Sequence, residues 1–117
     1  MPLIKVQTSA AINDPATQVQ GLLQTLSVKL AQHFGKPESY VMTIFEPNVK
    51  MTFGGTVKPT CYIEIKNIGT MTPAQTKAMS QDFCSVIEAV LGVPKNRTYI
   101  EFNNATGSMW GWNGDTF

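Results

Sequence analysis

The hydrophobic positions of the chain form one pattern that occurs twice. Apolar residues spaced as on one face of a helix appear in two segments, which predicts two amphipathic helices. The first stripe consists of Val19, Leu22, Leu23, Leu26, Leu30 and Phe34, and the second of Met79, Phe83, Val86, Ile87, Val90 and Leu91. A short apolar strand precedes and follows each helix, at 3–6, 40–45, 62–65 and 98–102. Because the two halves match at an offset of about 58 residues, the sequence predicts a duplicated β-α-β unit.

Residues at the helix ends support this division of the chain. Asp14-Pro15 predicts a first helix with a carboxylate at its N-cap, and Thr72 with Gln75 predicts a capping box at the start of the second. Both helices are predicted to end at a Gly-x-Pro turn, Gly35-Lys36-Pro37 and Gly92-Val93-Pro94. The expected fold class is α+β, with a four-stranded sheet and two helices on one face.

Two apolar segments remain without a partner in this arrangement. The segment 41–45 has too few polar residues for a strand with one face in water, so the second face of the sheet is also expected to be covered. With no helix left to cover it, other subunits would have to do so. The tail from Asn103, which holds Met109-Trp110-Gly111-Trp112 and ends at Phe117, is too apolar and short to hold itself together and is expected to pair with a neighbour. We therefore expect a homo-oligomer.

Composition narrows the class of protein. A chain of 117 residues with 43% hydrophobic content has the size of one domain, spanning 1–117. A net charge of +1 without charge runs argues against nucleic acid and anionic membranes as partners. No signal peptide or bilayer-spanning segment is recognisable, so the cytoplasm is the expected location. Cys61 and Cys84 lack C-x-x-C spacing, and His33 alone cannot complete a metal site with them, so reduced, buried thiols are expected.

Candidate chemistry rests on two residues. The chain has no nucleophile elbow, phosphate loop or H-E-x-x-H motif. Pro2 becomes an N-terminal secondary amine if Met1 is removed, and Lys36 occupies a turn position where the second half has Val93, so the turn itself does not require a lysine. From the residues alone, the simpler interpretation is preferred for both: Pro2 merely follows the initiator, and Lys36 is a cation at a helix C-terminus.

Six short motifs occur along the chain in an order and spacing that can be compared with known families: Met1-Pro2, Gly35-Lys36-Pro37, Phe53-Gly54-Gly55, Asn67-Ile68-Gly69, Arg97-Thr98-Tyr99-Ile100, and Gly111-Trp112-Asn113 with Thr116-Phe117. In these blocks the chain resembles the macrophage migration inhibitory factor family over its whole length. The resemblance implies a homotrimer that tautomerises phenylpyruvate- or dopachrome-like compounds without a metal or organic cofactor. Some animal members also act as secreted cytokines without a signal peptide, so non-classical secretion and receptor binding stay open.

The resemblance also assigns roles to individual residues. It implies that Pro2 is the base, and that Lys36 and the backbone amide of Ile68 hold the carboxylate or carbonyl oxygen of the substrate. Tyr99 would reach the pocket from the adjacent subunit. Two further aromatic residues would form the apolar wall or support its rim, Trp112 and Phe117.

Two positions depart from the family pattern. Where well-known members have asparagine, this chain has Glu101, which would repel an anionic substrate and raise the pKa of the base unless Lys36 or Arg97 pairs with it. Where they have a small aliphatic residue, this chain has Trp110, which is expected to narrow or reshape the pocket mouth. Both changes concern the choice of substrate.

Three functional hypotheses follow. The first is a keto-enol tautomerase with Pro2 as general base, and the second is a non-catalytic, cytokine-like or ligand-binding trimer with a vestigial pocket. Retention of Met1 favours the second, because the nitrogen of Pro2 is then an amide without a basic lone pair. Thiol redox activity is disfavoured, since the segment Thr60-Cys61-Tyr62-Ile63 lacks the C-x-x-C motif.

Overall fold

The computed structural model describes residues 1–117 apart from the side chain of Pro15. In chain order its helices and strands are β1 (Leu3–Thr8), α1 (Gln20–Phe34), β2 (Met42–Glu46), β3 (Cys61–Ile68), α2 (Pro73–Leu91), β4 (Thr98–Ala105), β5 (Gly111–Trp112) and β6 (Asp115–Thr116). Both β-α-β units are therefore present, as predicted. None of the described helices is both long and apolar enough to cross a bilayer.

The first four strands form one mixed sheet in the order β2-β1-β3-β4. Within each β-α-β unit the two strands are parallel, and the units join through the antiparallel pair of β1 and β3. Leu3 lies opposite Met42 on one side and Lys66 on the other. This topology places the N-terminus of β1 beside the start of β2, which positions the candidate site described below.

The core lies between one face of this sheet and both helices. Ile4 and Val6 of β1 and Ile63 and Ile65 of β3 are fully buried on that face. The helical residues that meet them are Leu22, Leu26, Leu30, Met79, Phe83 and Ile87. Burying an aliphatic or aromatic side chain of this size contributes about 1.5–3 kcal/mol. The α+β class with both helices on one face of a four-stranded sheet is confirmed.

The helix ends agree with the sequence at three of four positions. Thr72 and Gln75 form the predicted capping box, with the Thr72 hydroxyl accepting from the Gln75 N–H at 3.1 Å and the Gln75 side chain accepting from the Thr72 N–H at 2.9 Å. Gly35 and Gly92 end the two helices in the left-handed conformation, with φ of 60° and 71°. The predicted N-cap carboxylate is wrong, since Asp14 makes no capping hydrogen bond with any described group.

The physical reason lies in the backbone before α1. Asp14 has a ψ of 82°, whereas the capping residue Thr72 has the extended value of 157° that directs its side chain back to the helix. A π-helical turn over Pro15–Val19 precedes α1, and the backbone carbonyl of Asp14 accepts from the Gln18 N–H at 3.0 Å. The equivalent bond, from the Thr76 N–H to the Thr72 carbonyl at 3.0 Å, coexists with the capping box of α2, so it does not replace a side-chain cap, and the difference in ψ is the reason that Asp14 makes none.

The start of β2 differs from the prediction by two residues. Residues Glu38–Tyr40 form a 3₁₀ turn, in which the Val41 N–H donates to the Glu38 carbonyl at 2.9 Å, and the strand begins at Met42. Pro37 immediately precedes this turn, and its φ of −62°, which the proline ring restricts, suits that position.

The open face of the sheet is more polar than the sequence suggested. In the apolar run 41–45, Val41 and Phe45 pack against the core, which leaves Met42 and Ile44 on the other face by the register of β1 and β2. That face also carries ion pairs at 3.8 Å and 2.9 Å, which join Glu64 to Lys5 and Lys66. The apolar character of the run is thus partly explained within one chain, and the oligomer stays a prediction.

The C-terminal tail is structured by its own residues. β5 and β6 form a two-stranded hairpin around Asn113 and Gly114, whose φ values of 54° and 78° fit the tight turn that Asn-Gly favours. The Phe117 N–H donates to the carbonyls of Gly107 at 3.0 Å and Trp110 at 3.2 Å. The expectation that this tail cannot hold itself together is therefore wrong, because the turn and these bonds close it locally.

Both cysteines are free and buried, as the sequence predicted. Burial raises the pKa of the Cys61 thiol to about 12, with a further contribution from nearby Cys84. Burial also raises the pKa of Cys84. Because the thiolate is the reactive form, both groups are poor nucleophiles at neutral pH.

Candidate active site

A cavity of about 420 Å³ lies where the chain enters β1. The N-terminal residues form one side of it, and the 3₁₀ turn before β2 and the C-terminal tail form the others. Its wall includes Met1, Pro2, Tyr40, Trp110, Trp112 and Phe117. The volume falls within the range of about 300–1,000 Å³ that holds small organic ligands.

Pro2 is fixed at the inner side of this cavity. Its side chain is buried, and its carbonyl accepts a hydrogen bond from the Met42 N–H at 3.1 Å, which continues the pairing of β1 with β2. While Met1 is attached, the nitrogen of Pro2 is an amide and the terminal amine belongs to Met1. Removal of Met1 would leave a secondary amine on Pro2 at the same end of the cavity.

Aromatic rings form another part of the cavity wall. Trp112 meets Tyr40 edge to face at a centroid distance of 5.7 Å and stacks on Phe117 at 5.7 Å with an interplanar angle of 19°. Trp112 and Phe117 remain 53% and 43% exposed, so they border the mouth of the cavity. Trp110, which the sequence expected at the mouth, is half-buried in the same wall. Such a wall suits a flat, apolar ring.

Tyr40 was not anticipated in this role. It lies in the 3₁₀ turn after α1. The available signal was Pro37, three residues earlier, because a proline there favours a turn before the strand. Sequence reasoning assigned Tyr40 to the strand, where its side chain would have had a different direction.

Lys36 is held at the end of α1 by bonds to β3. Its backbone N–H donates to the Ala31 carbonyl at 3.1 Å, after the left-handed turn at Gly35. Its ammonium donates to the side-chain oxygen of Asn67 at 2.8 Å and to the backbone carbonyl of Ile68 at 2.9 Å. Because an ammonium has three donors, one remains besides these two bonds, and it can donate to the terminal amine or to a ligand.

The terminal amine is electrostatically linked to this lysine. Burial in the first place, and repulsion and hydrogen bonding from Lys36 in the second, lower the pKa of the Met1 amine from 8.0 to about 6. Lys36 therefore lies close to the amine although it is not itself part of the cavity wall. An amine with this pKa is mostly unprotonated at pH 7 and can accept a proton.

Ile68 contacts Lys36 through its carbonyl oxygen, which accepts from the ammonium at 2.9 Å. The role that the resemblance implied for its backbone amide, holding an oxygen of the substrate, stays a prediction. Ile68 also borders a separate hollow of about 370 Å³ at the ends of β3 and β4. It is thus close to the lysine and outside the aromatic cavity of the same chain.

Asn67 is a site residue that sequence reasoning missed. It is only 3% exposed and faces the core side of β3, where the preceding inward-facing residues are Cys61, Ile63 and Ile65. An amide in an otherwise apolar series was the available signal, because a buried polar side chain needs a partner.

Tyr99 and Glu101 lie apart from this cavity within one chain. Both are on β4, at the opposite edge of the sheet from β2. Tyr99 is 67% exposed and meets the ring of Phe53 at a centroid distance of 4.8 Å. Glu101 accepts a hydrogen bond from the Tyr62 hydroxyl at 2.8 Å. Any role of these two residues in a pocket requires a second subunit, which is what the resemblance implied for Tyr99.

Neither candidate cation pairs with Glu101. Lys36 is engaged by β3, and the guanidinium of Arg97 donates to the carbonyl oxygens of Phe53, Thr56, Lys58 and Pro59 at 2.9–3.3 Å. Arg97 thus stabilises the loop before β3. Burial, followed by hydrogen bonds to Glu101 and Glu64, raises the pKa of Tyr62, so its hydroxyl stays protonated as a donor to these carboxylates.

Comparison with known proteins agrees with this fold. The model of the family described as macrophage migration inhibitory factor matches residues 1–117. The chain belongs to the macrophage migration inhibitory factor family. It is 32% identical over 117 residues to a macrophage migration inhibitory factor homolog of Trichinella spiralis, with all of both chains covered. It is 34% identical to macrophage migration inhibitory factor of Rattus norvegicus, over 100% of this chain and 99% of that one.

Solved structures of the family have the same fold. The crystal structure of a macrophage migration inhibitory factor homologue from Prochlorococcus marinus is 45% identical and superposes with a TM-score of 0.92, covering 98% of each chain. The family membership that the sequence blocks indicated is confirmed, together with the tautomerase superfamily fold.

Proposed function

We propose that this protein is a keto-enol tautomerase acting on phenylpyruvate- or dopachrome-like substrates, with the Pro2 amine as general base after removal of Met1. The observation that carries the proposal is the position of Pro2 in the wall of an aromatic cavity, next to the Met1 amine whose pKa burial and Lys36 lower to about 6. After removal of Met1 the Pro2 amine would lie at the same end of the cavity, where burial and Lys36 should lower its pKa in the same direction and let it accept a proton at neutral pH. Family membership supports the same reaction class.

The reaction needs two further groups besides the base. The amine removes a proton from the carbon next to the carbonyl, and negative charge then develops on the carbonyl oxygen. The Lys36 N–H that is not bonded to Asn67 or Ile68 stabilises this oxygen or the carboxylate of the substrate. The protonated amine returns its proton to complete the tautomer. The rings of Tyr40, Trp112 and Phe117 hold the aromatic part of the substrate.

We further propose a homotrimer with sites between subunits, in which Tyr99 and Glu101 complete the pocket of a neighbour. Their separation from the cavity of their own chain supports this arrangement, as does the exposure of Tyr99. Native mass spectrometry tests the assembly, and a species of three times the 12.8 kDa chain mass is expected. Tyr99→Ala should reduce turnover without dissociating the trimer. A monomer with full activity would contradict the shared site.

The decisive experiment compares three proteins in the enol-keto interconversion of phenylpyruvate. These are the chain whose mass shows removal of Met1, the Pro2→Gly variant, and the chain with Met1 retained. Since a general base contributes about 10²–10⁴-fold to a rate, we expect losses of that size in the last two. The Met1-retaining protein is the matched control, because it keeps the proline ring while the Pro2 nitrogen becomes an amide and the terminal amine moves to Met1, so it tests whether the base must be on Pro2. Full activity in Pro2→Gly would exclude Pro2 as the base.

A ligand-binding protein without turnover is the second candidate, and Trp110 in the cavity wall favours it. A large side chain there restricts how deeply a substrate can enter. Saturable quenching of tryptophan fluorescence by phenylpyruvate, without turnover in the processed protein, would support this function. Restoration of turnover by Trp110→Val would instead indicate a tautomerase with a different natural substrate.

A further inference from the structure

Asn67 is an uncharged side chain in direct contact with Lys36, the ammonium that lowers the pKa of the terminal amine. It lies near the C-terminal end of β3, 3% exposed, and its oxygen accepts from Lys36 at 2.8 Å. The adjacent residue Ile68 supplies the second acceptor at 2.9 Å through its carbonyl. Two consecutive residues of one strand therefore hold two of the three N–H bonds of Lys36.

Holding the ammonium matters because a lysine side chain is flexible. Four methylene groups separate its charge from the backbone, so an unbonded Lys36 would sample many positions. With two N–H bonds directed at the end of β3, the position of the charge and the direction of the third N–H are both restricted. Pre-positioned donors are the ones that stabilise developing negative charge efficiently.

The chemical type of the acceptor has its own consequence. An amide oxygen accepts a hydrogen bond but carries no net charge, so it leaves the full charge of Lys36 available to other groups. A carboxylate at the same place would hold the lysine equally well and would also neutralise it. The combination of position and neutrality is what distinguishes asparagine from aspartate here.

We propose that Asn67 is a positioning residue, which fixes the Lys36 ammonium at the site and preserves its charge for an anionic oxygen of the substrate and for the terminal amine. This inference rests on the tautomerase function proposed above. Asn67 acts through Lys36 and is not expected to contact the substrate.

The first test is Asn67→Asp in the processed protein, which changes charge with almost no change in shape. The pKa of the Pro2 amine should rise by about one unit, because a negative charge next to Lys36 offsets the positive charge of the ammonium, which otherwise lowers that pKa. The KM for phenylpyruvate should rise about tenfold, a factor that reflects a weakened charged hydrogen bond. A ¹³C NMR titration of the Pro2 ring carbons measures the pKa without requiring turnover.

Asn104→Asp is the matched control. Asn104 lies opposite Asn67 in the pairing of β3 with β4, but its side chain accepts from the Met71 N–H at 3.2 Å, and no bond to Lys36 is found among the described residues. The control should leave the pKa and KM of the parent unchanged. An equal shift in both variants would mean a general charge effect and would overturn the positioning role.

A double-mutant cycle covers the case in which Asn67→Asp does not fold. Asn67→Ala should raise KM in the parent and have no further effect on KM or on the amine pKa in a Lys36→Gln background. Additive effects would show that Asn67 does not act through Lys36.

The two proposals can fail separately. If the parent protein shows no turnover but Asn67→Asp still shifts the pKa of the Pro2 amine, the tautomerase function is refuted and the positioning role of Asn67 is supported. If the parent shows turnover and Asn67→Asp does not shift that pKa, only the positioning role is refuted.

Discussion

Replacement of Asp82 by asparagine tests the connection between the two helices. Asp82 on α2 accepts from the Lys29 ammonium at 2.9 Å, and its second oxygen pairs with the His33 ring at 2.7 Å. Both partners lie on α1, within two turns of its C-terminal end. The Asp82→Asn variant keeps the shape of the side chain and removes its charge, so it isolates the contribution of these bonds.

The expected loss is about 1.5 kcal/mol in the free energy of unfolding. Charge-assisted hydrogen bonds contribute about 1.5–3 kcal/mol when buried, whereas exposed ion pairs contribute about 0.2–1 kcal/mol. The side chains of Lys29, His33 and Asp82 are 34%, 20% and 28% exposed, so each pair lies between the buried and the exposed case. Because the introduced amide retains one acceptor oxygen, part of one bond survives, and the loss is smaller than two full pairs.

The effect should depend on pH in a defined direction. Burial alone would raise the pKa of Asp82, but the bonds from Lys29 and His33 outweigh it and hold that pKa below the ordinary 3.8. The unfolded chain therefore binds a proton at a higher pH than the folded one. The stabilisation is fully present above about pH 3.8 and is lost as the pH falls through the lower folded-state pKa.

Urea unfolding followed by circular dichroism measures the difference, at one protein concentration because the proposed assembly would also stabilise the fold. Asp14→Asn is the matched control, since Asp14 is exposed and makes no capping hydrogen bond with the described residues. If Asp82→Asn unfolds within about 0.3 kcal/mol of the control at pH 7, below the range for a productive pair, the bonds between the helices do not stabilise the protein. A difference that persists undiminished in acid would also refute the reasoning.

Three further predictions concern the core, a helix end and the tail. Phe83→Ala removes a fully buried ring and should lower the free energy of unfolding by about 3–5 kcal/mol, measured by urea titration. Thr72→Ala removes the capping box and should lose about 1 kcal/mol in the same assay. Gly107→Ala should displace the tail hairpin and change tryptophan fluorescence, because the new Cβ would lie 2.7 Å from the Phe117 carbonyl oxygen, whereas Gly21→Ala meets no atom within 4 Å and should leave the spectrum unchanged.

The sequence by itself determined the parts of the fold that depend on neighbouring residues. Helical stripes, the capping box at Thr72, the left-handed turns at Gly35 and Gly92 and the repeat of β-α-β units are all local, so each can be recognised in a short segment. The family motifs then indicated Pro2 and Lys36 as candidates. The failure at Asp14 has the same local origin, because proline after a carboxylate is typical of an α-helix start, and the sequence contains no signal for a π-helical turn.

Only the tertiary structure decided which candidates meet. The contact of Lys36 with Asn67 joins residues 31 positions apart, and it depends on where the end of α1 lies against β3. The cavity likewise combines Pro2 with Trp112 and Phe117 from the opposite end of the chain. The tertiary structure also keeps Tyr99 and Glu101 away from that cavity, because β4 and β2 are opposite edges of one sheet. Sheet order is set by packing of the whole chain, and local patterns do not encode it.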